Sequence, residues 1–127
     1  MKTILFTLCD GAFNYGGKLT VVGTYDRITI PAIPGSPKTS FALKFRVPVS
    51  ELDQNAEIRV EFVDANGNPV SGPVSKSVGI PESDTGNIHL AMVGSVQLNI
   101  SETGTHKMIC YIDNRQVEEL EFYVTTQ

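Results

Sequence analysis

Phe41-Ala-Leu-Lys-Phe-Arg-Val47 decides the fold. Phe41, Leu43, Phe45 and Val47 fall on one side of a period-two ribbon, and Ala42, Lys44 and Arg46 fall on the other. Successive side chains of an extended strand point to opposite faces, so this alternation describes a sheet with one packed and one wetter face. The same grammar returns over Ile58–Val63, Ile88–Val93 and Leu120–Val124. Eight or nine short strands at about ten-residue spacing, with no helix longer than a turn or two, predict an antiparallel two-sheet β-sandwich of immunoglobulin-like type. The expected core is Phe6, Leu8, Val21, Phe41, Leu43, Phe45, Ile58, Val60, Phe62, Leu90, Met108, Ile112 and Phe122.

Working outward, a first strand is expected from Lys2 to about Cys9, a turn region over Gly11–Gly17 and a second strand over Lys18–Tyr25 with a possible bulge at Gly23. Pro31-Ala-Ile-Pro-Gly-Ser-Pro37 carries three prolines, cannot join a central ladder, and reads as a connection between the sheets. Ser50–Asp53 suits one capped helical turn. Asp64-Ala-Asn-Gly-Asn68 turns the chain through Asn-Gly, a weak strand follows over Pro69–Val78, and Gly79–Gly86 reads as a loop. Gly94 interrupts the next apolar run, and the last two strands form a hairpin through Asp113-Asn-Arg-Gln116.

The 127 residues fit a single domain over residues 1–127, and at that size folding buries roughly two thirds of the unfolded surface. Ten Lys/Arg stand against 14 Asp/Glu, a net charge of −4. The basic residues form no local run, and a phosphate backbone needs several convergent cations, so nucleic acid is not the expected partner. The start, Met1–Asp10, superficially mimics a lipoprotein signal. Its apolar stretch from Thr3 to Leu8 is shorter than a signal core, and Leu8 is bulky for the position before a lipidated cysteine. No segment approaches the roughly 20 apolar residues of a membrane span. Cys9 and Cys110 are expected to be free, buried thiols, which makes the cytoplasm the default compartment.

Two segments carry a resemblance. Gly104-Thr-His-Lys-Met-Ile-Cys-Tyr-Ile-Asp-Asn114 is similar to the penultimate strand of immunoglobulin-like sandwiches, with His106 standing where a tyrosine is usual. Leu5-Phe-Thr-Leu-Cys-Asp10, followed by Gly17-Lys-Leu-Thr-Val-Val-Gly-Thr-Tyr-Asp-Arg-Ile28, resembles a family of short bacterial all-β proteins of unknown function. That family shows Cys-Asp, then Gly-Lys-Leu, then Gly-x-Tyr/Phe-Asp-x-Ile. The resemblance implies a β fold and a bacterial origin and brings no mechanism with it.

Chemistry-bearing residues are sparse. Asp10, Asp26, Asp64 and Asp113 lie at strand ends, where Asp is ordinary turn chemistry, and no calcium-loop register is present. His89 and His106 have no partner at zinc-ligand spacing. No Gly-x-Ser-x-Gly elbow is present, and Gly16-Gly17-Lys18 lacks the helix that makes a phosphate loop. No catalytic residue, metal ligand or cofactor is therefore expected. The aromatic residues that core alternation does not account for are Phe13, Tyr15, Tyr111 and Tyr123, the interaction candidates. They suit a non-enzymatic module that binds another protein or itself, or alternatively a small-ligand or glycan binder. The first strand is apolar on both sides, so its outer face must be covered by the chain itself, such as by segment 31–37, or by a second copy in a homodimer.

Overall fold

A computed structural model describes residues 1–52, 55–80 and 86–127. Among these described residues nine strands follow one another: β1 (Lys2–Tyr15), β2 (Lys18–Tyr25), β3 (Arg27–Ile30), β4 (Lys38–Pro48), β5 (Asn55–Val63), β6 (Val74–Gly79), β7 (Asn87–Gln97), β8 (Gly104–Ile112) and β9 (Arg115–Thr126). They form a four-stranded sheet, β2-β1-β4-β7, and a five-stranded sheet, β3-β9-β8-β5-β6. Within these, β1-β4-β7 opposite β9-β8-β5 reproduces the A-B-E and G-F-C strands of an immunoglobulin-like sandwich. Every pairing is antiparallel except β3 with β9, which is parallel. The proline-rich segment carries the chain from β3 in one sheet to β4 in the other. It is pinned by Gly35, whose N–H donates to Ile100 O (3.0 Å) and whose O accepts from Ile100 N (2.8 Å).

The alternation seen in the sequence sets the packing. Phe41, Leu43 and Phe45 of β4 and Ile58, Val60 and Phe62 of β5 are fully buried, and Met108, Ile112 and Phe122 join them from β8 and β9. Phe62 joins the sheets, its ring centroid 5.9 Å from Phe41 and 6.4 Å from Phe122. Two expected core residues depart from this. Phe6 is half-buried and packs on the core through Phe45. Val21 lies outside the core because β2 has left the sandwich by that point.

Other departures have local causes. Gly94 does not break β7, and an added Cβ there would lie 2.7 Å from Phe41 Cζ, so the glycine makes room for a buried ring. A register shift between Thr3 and Leu5 turns Ile4 out of the face it was expected to share with Phe6 and Leu8. After the Asp64–Asn68 turn the ladder resumes only at Val74, with a single bridge at Pro69. The turn after β4 is a 3-10 turn over Val49–Glu51 with no side-chain cap, and Asp53 lies outside the described residues, as do residues 81–85 of the expected Gly79–Gly86 loop. The β8–β9 hairpin needs only two residues, Asp113 and Asn114, both at positive φ as a tight turn of this kind demands.

His106, standing where a tyrosine is usual, is buried against Phe122, with Nδ1 3.0 Å from Gly104 O and Nε2 without a partner among the described residues.

Candidate interaction site

The site grows from the part of β1 that was expected to be a turn. Only Gly16 and Gly17 turn, at φ +59° and +84°, and the Asn14 side chain accepts the Gly17 N–H at 3.0 Å. Paired glycines satisfy the positive φ that a two-residue hairpin requires. Gly11 to Tyr15 therefore continue as strand, pairing with Lys18–Val22, while β4 has already parted from β1 at Cys9. The result is a two-stranded arm.

The arm does not project straight outward. Leu5 pairs with Lys44, and twelve further residues at about 3.3 Å each would carry an extended chain ~40 Å away. Instead, Gly17 O at the tip accepts a hydrogen bond from Lys44 Nζ at 3.3 Å. β1 thus doubles back over the outer face of its own sheet. Cys9 and Ala42 point away from the core, yet both are fully buried beneath it. Small side chains at these positions let a second layer lie close. The cover required by the doubly apolar first strand is this arm, not the proline-rich segment, most of which is exposed.

The bend is built at one corner. Gly23, at φ +65°, lies against the Asp10 carboxylate, and a Cβ on it would come within 2.2 Å of Asp10 Oδ2. Beside it the Tyr25 hydroxyl hydrogen-bonds Thr39 Oγ1. Burial raises the Tyr25 phenol above its usual range, partly offset by that bond. Burial also raises the Cys9 thiol, against a lowering hydrogen bond from the Gly11 backbone. A cleft of about 390 Å³, lined by Asp10, Gly23, Thr24, Tyr25, Arg27 and Ile28, opens at this corner.

One face of the arm, with Ala12, Leu19 and Val21, is half-buried. The other presents Phe13, Tyr15 and Val22, which are 66%, 87% and 54% exposed. Strand pairing aligns Phe13 with Thr20 and Tyr15 with Lys18, so these residues share one surface. Of the four aromatic candidates, the structure brings Phe13 and Tyr15 together on a strand, not in a loop. Tyr111 and Tyr123 lie on the other sheet, six pairs apart along β8 and β9, and make no common platform. Tyr111 is half-buried under the Arg59 guanidinium, 4.5 Å from its ring centre, while Tyr123 is only 39% exposed. Lys44 was visible in the sequence only as a wet-face residue of its strand, because its role depends on the arm folding back.

Other chemistry is structural. Asp64 Oδ1 accepts from the N–H groups of Asn66 and Asn68, each at 2.9 Å, and Asp113 Oδ1 accepts from Glu57 N. Among the described residues no group of three or more His, Cys, Asp or Glu could hold a metal ion, and no helix is long and apolar enough to cross a membrane. Both cysteines are free and buried. Burial, with Glu118 adding to it, pushes the Cys110 thiol up to about 12.

Among solved structures, a glycosyl hydrolase family 2 member from Bacteroides cellulosilyticus DSM 14838 matches at 9% identity and a TM-score of 0.46, over 73% of this chain and 13% of that one. The alkylpurine DNA glycosylase AlkC of Pseudomonas fluorescens, bound to DNA containing an abasic site analog, matches at 8% identity and a TM-score of 0.38, over 94% of this chain and 30% of that one. The CARDB domain of the PF1109 protein from Pyrococcus furiosus, in complex with di-metal ions, matches at 14% identity and a TM-score of 0.37, over 96% and 87% of the two chains. This chain thus spans only a small part of the glycosyl hydrolase it matches. No curated protein matches. A model of a family of unknown function, DUF6941, matches residues 4–125, nearly the whole chain, and the protein belongs to that family.

Proposed function

We propose that this protein is a non-enzymatic module that binds another protein through the outward face of the β1–β2 arm. The observation that carries the reading is the exposure of Phe13, Tyr15 and Val22 side by side on a hairpin held at its tip, its bend and its base. Aromatic residues displayed on a fixed scaffold are the usual anchors of protein interfaces. The aliphatic Val22, one same-face pair beyond Phe13, extends the patch with a side chain that packs on a protein but offers no ring for a sugar to stack on. The polar groups support a role without catalysis: the His106 ring faces a backbone carbonyl and both thiols are held protonated. With the outer face of β1 covered by its own arm, that face needs no second copy to bury it, and the free, buried thiols suit work in the cytoplasm.

Affinity capture from native cells, quantified by mass spectrometry, tests this. Phe13→Ser/Tyr15→Ser should lose the partner that the wild type retains, while Tyr111→Ser keeps it. Equal recovery by the arm variant, or binding on a glycan array that the same variant abolishes, would overturn the reading.

A further inference from the structure

Half of the chain's ten cations lie in the sheet that carries the arm. Its four strands contain Lys2, Lys18, Lys38, Lys44 and Arg46 against one carboxylate, Asp10, although the chain as a whole carries −4. Strand alternation places Lys38, Lys44 and Arg46 opposite the buried Phe41, Leu43, Phe45 and Val47, hence on the outer face. Lys2 pairs with Arg46, so it shares that face, and His89 flanks Arg46 on the other side. The arm then delivers Lys18, since Gly17 rests on Lys44. Residues 2, 18, 44 and 46 thereby converge beside the exposed Tyr15, which pairs with Lys18. Among the described residues none of these cations is ion-paired: the pairs formed are the Met1 amino group with Glu51, Arg59 with Glu61 and Lys107 with Glu119.

We infer that this basic face and the arm together dock an acidic segment of a partner protein. The inference rests on the protein-binding reading above and adds the chemistry of the partner. Unpaired like charges held together repel one another, and a complementary negative surface relieves that repulsion and steers encounter. The choice of protein over nucleic acid follows from what lies among the cations. Ile4 and Met1, which flank Lys2 in the chain, are 48% and 45% exposed, and aliphatic side chains gain by burial against a polypeptide but have no base to stack on. β2 also forms the sheet's edge and makes no main-chain hydrogen bond on its second side among the described residues, leaving donors and acceptors for an extended segment.

Fluorescence anisotropy with labelled poly-L-glutamate, in parallel with a single-stranded oligothymidine, tests the inference on the full chain. Wild type should bind polyglutamate in preference to the oligonucleotide, and at about 50 mM salt Lys2→Glu/Arg46→Glu should weaken binding about tenfold or more. Lys18→Glu, at the exposed arm tip, should weaken it severalfold. Lys76→Glu/Lys107→Glu changes net charge equally on the other sheet and should have less than about a twofold effect, because screened charges act locally. Equal effects of the two double variants, no binding by wild type, or preference for oligothymidine would each overturn the inference. The partner captured from cells separates the two readings. If Phe13→Ser/Tyr15→Ser loses it but Lys2→Glu/Arg46→Glu does not, the protein-binding reading stands and the acidic partner falls. If neither variant loses it, both fall.

Discussion

Gly23→Ala probes the bend that makes the arm. Two costs add. An alanine held at φ +65° sits in the left-handed region, at about 1 kcal/mol or somewhat more. Its Cβ would also stand 2.2 Å from Asp10 Oδ2 and 2.9 Å from Asp10 Cγ, a contact no side chain tolerates. The carboxylate is the end of a short, exposed side chain and can swing aside, so this part costs roughly another 1 kcal/mol in displaced rotamer and packing. The total is about 2 kcal/mol. For a chain of this size that lowers Tm by roughly 6–10 °C. Urea unfolding of Gly23→Ala, Asp10→Ala and the double variant separates the terms. Removing the carboxylate should recover the steric half but not the backbone half, a coupling of about 1 kcal/mol. A Gly23→Ala variant within about 0.5 kcal/mol of wild type, which is the ordinary range of surface substitutions, would refute the described corner. So would full additivity.

Three further outcomes are expected. Gly94→Ala forces a methyl to within 2.7 Å of the Phe41 ring and should cost ~1–3 kcal/mol, and Phe41→Leu should partly compensate it in the double variant, as read by chemical denaturation. His106→Phe keeps the ring on Phe122, gives up the Nδ1 contact to Gly104 O and removes the buried Nε2 that has no partner among the described residues, so the two terms offset and stability should stay within about 1 kcal/mol of wild type, while a loss beyond ~2 kcal/mol would show that Nε2 is satisfied. Both thiols should resist a thiol reagent at neutral pH until the protein unfolds. Because the folded Cys110 thiol is raised above its ordinary 9.0 to about 12, its contribution is complete below pH 9 and falls as pH climbs from there toward 12, so alkaline denaturation followed by circular dichroism should show a shallower loss of stability in Cys110→Ala than in wild type, with Cys9 and Tyr25 carrying the remainder.

What was legible in the sequence follows from which strands have one wet face. β4, β5 and β8 alternate cleanly because they sit inside a sheet with the core on one side, and their period alone places Phe41, Ile58 and Met108 inward. β1 obscured its own length. Gly11 and the Gly16-Gly17 pair are equally strong turn signals as letters, but Gly11 keeps strand pairing and only the pair turns. Val21 alternates as a core residue would, yet it sits where β2 has left the sandwich, and nothing local records that departure. Gly94 shows the opposite case, a glycine that keeps a strand whole by yielding space to a ring 53 positions earlier in the chain. Of the site, Phe13 and Tyr15 were visible as aromatics without a core role. The basic face was not visible, because Lys2, Lys18, Lys44 and Arg46 are scattered in sequence and are gathered only by strand pairing and by the backward fold of the arm.

The most direct test of the account is a photo-crosslinking side chain placed at position 15 and, separately, at position 107, with each variant expressed in native cells and irradiated. Position 15 lies at the arm tip, 87% exposed beside Lys18, while position 107 lies on the outer face of the opposite sheet. The account predicts a discrete protein adduct from position 15 that position 107 does not give, with the crosslinked peptide of the partner rich in Asp and Glu. An adduct formed from position 107 and not from position 15 would contradict it.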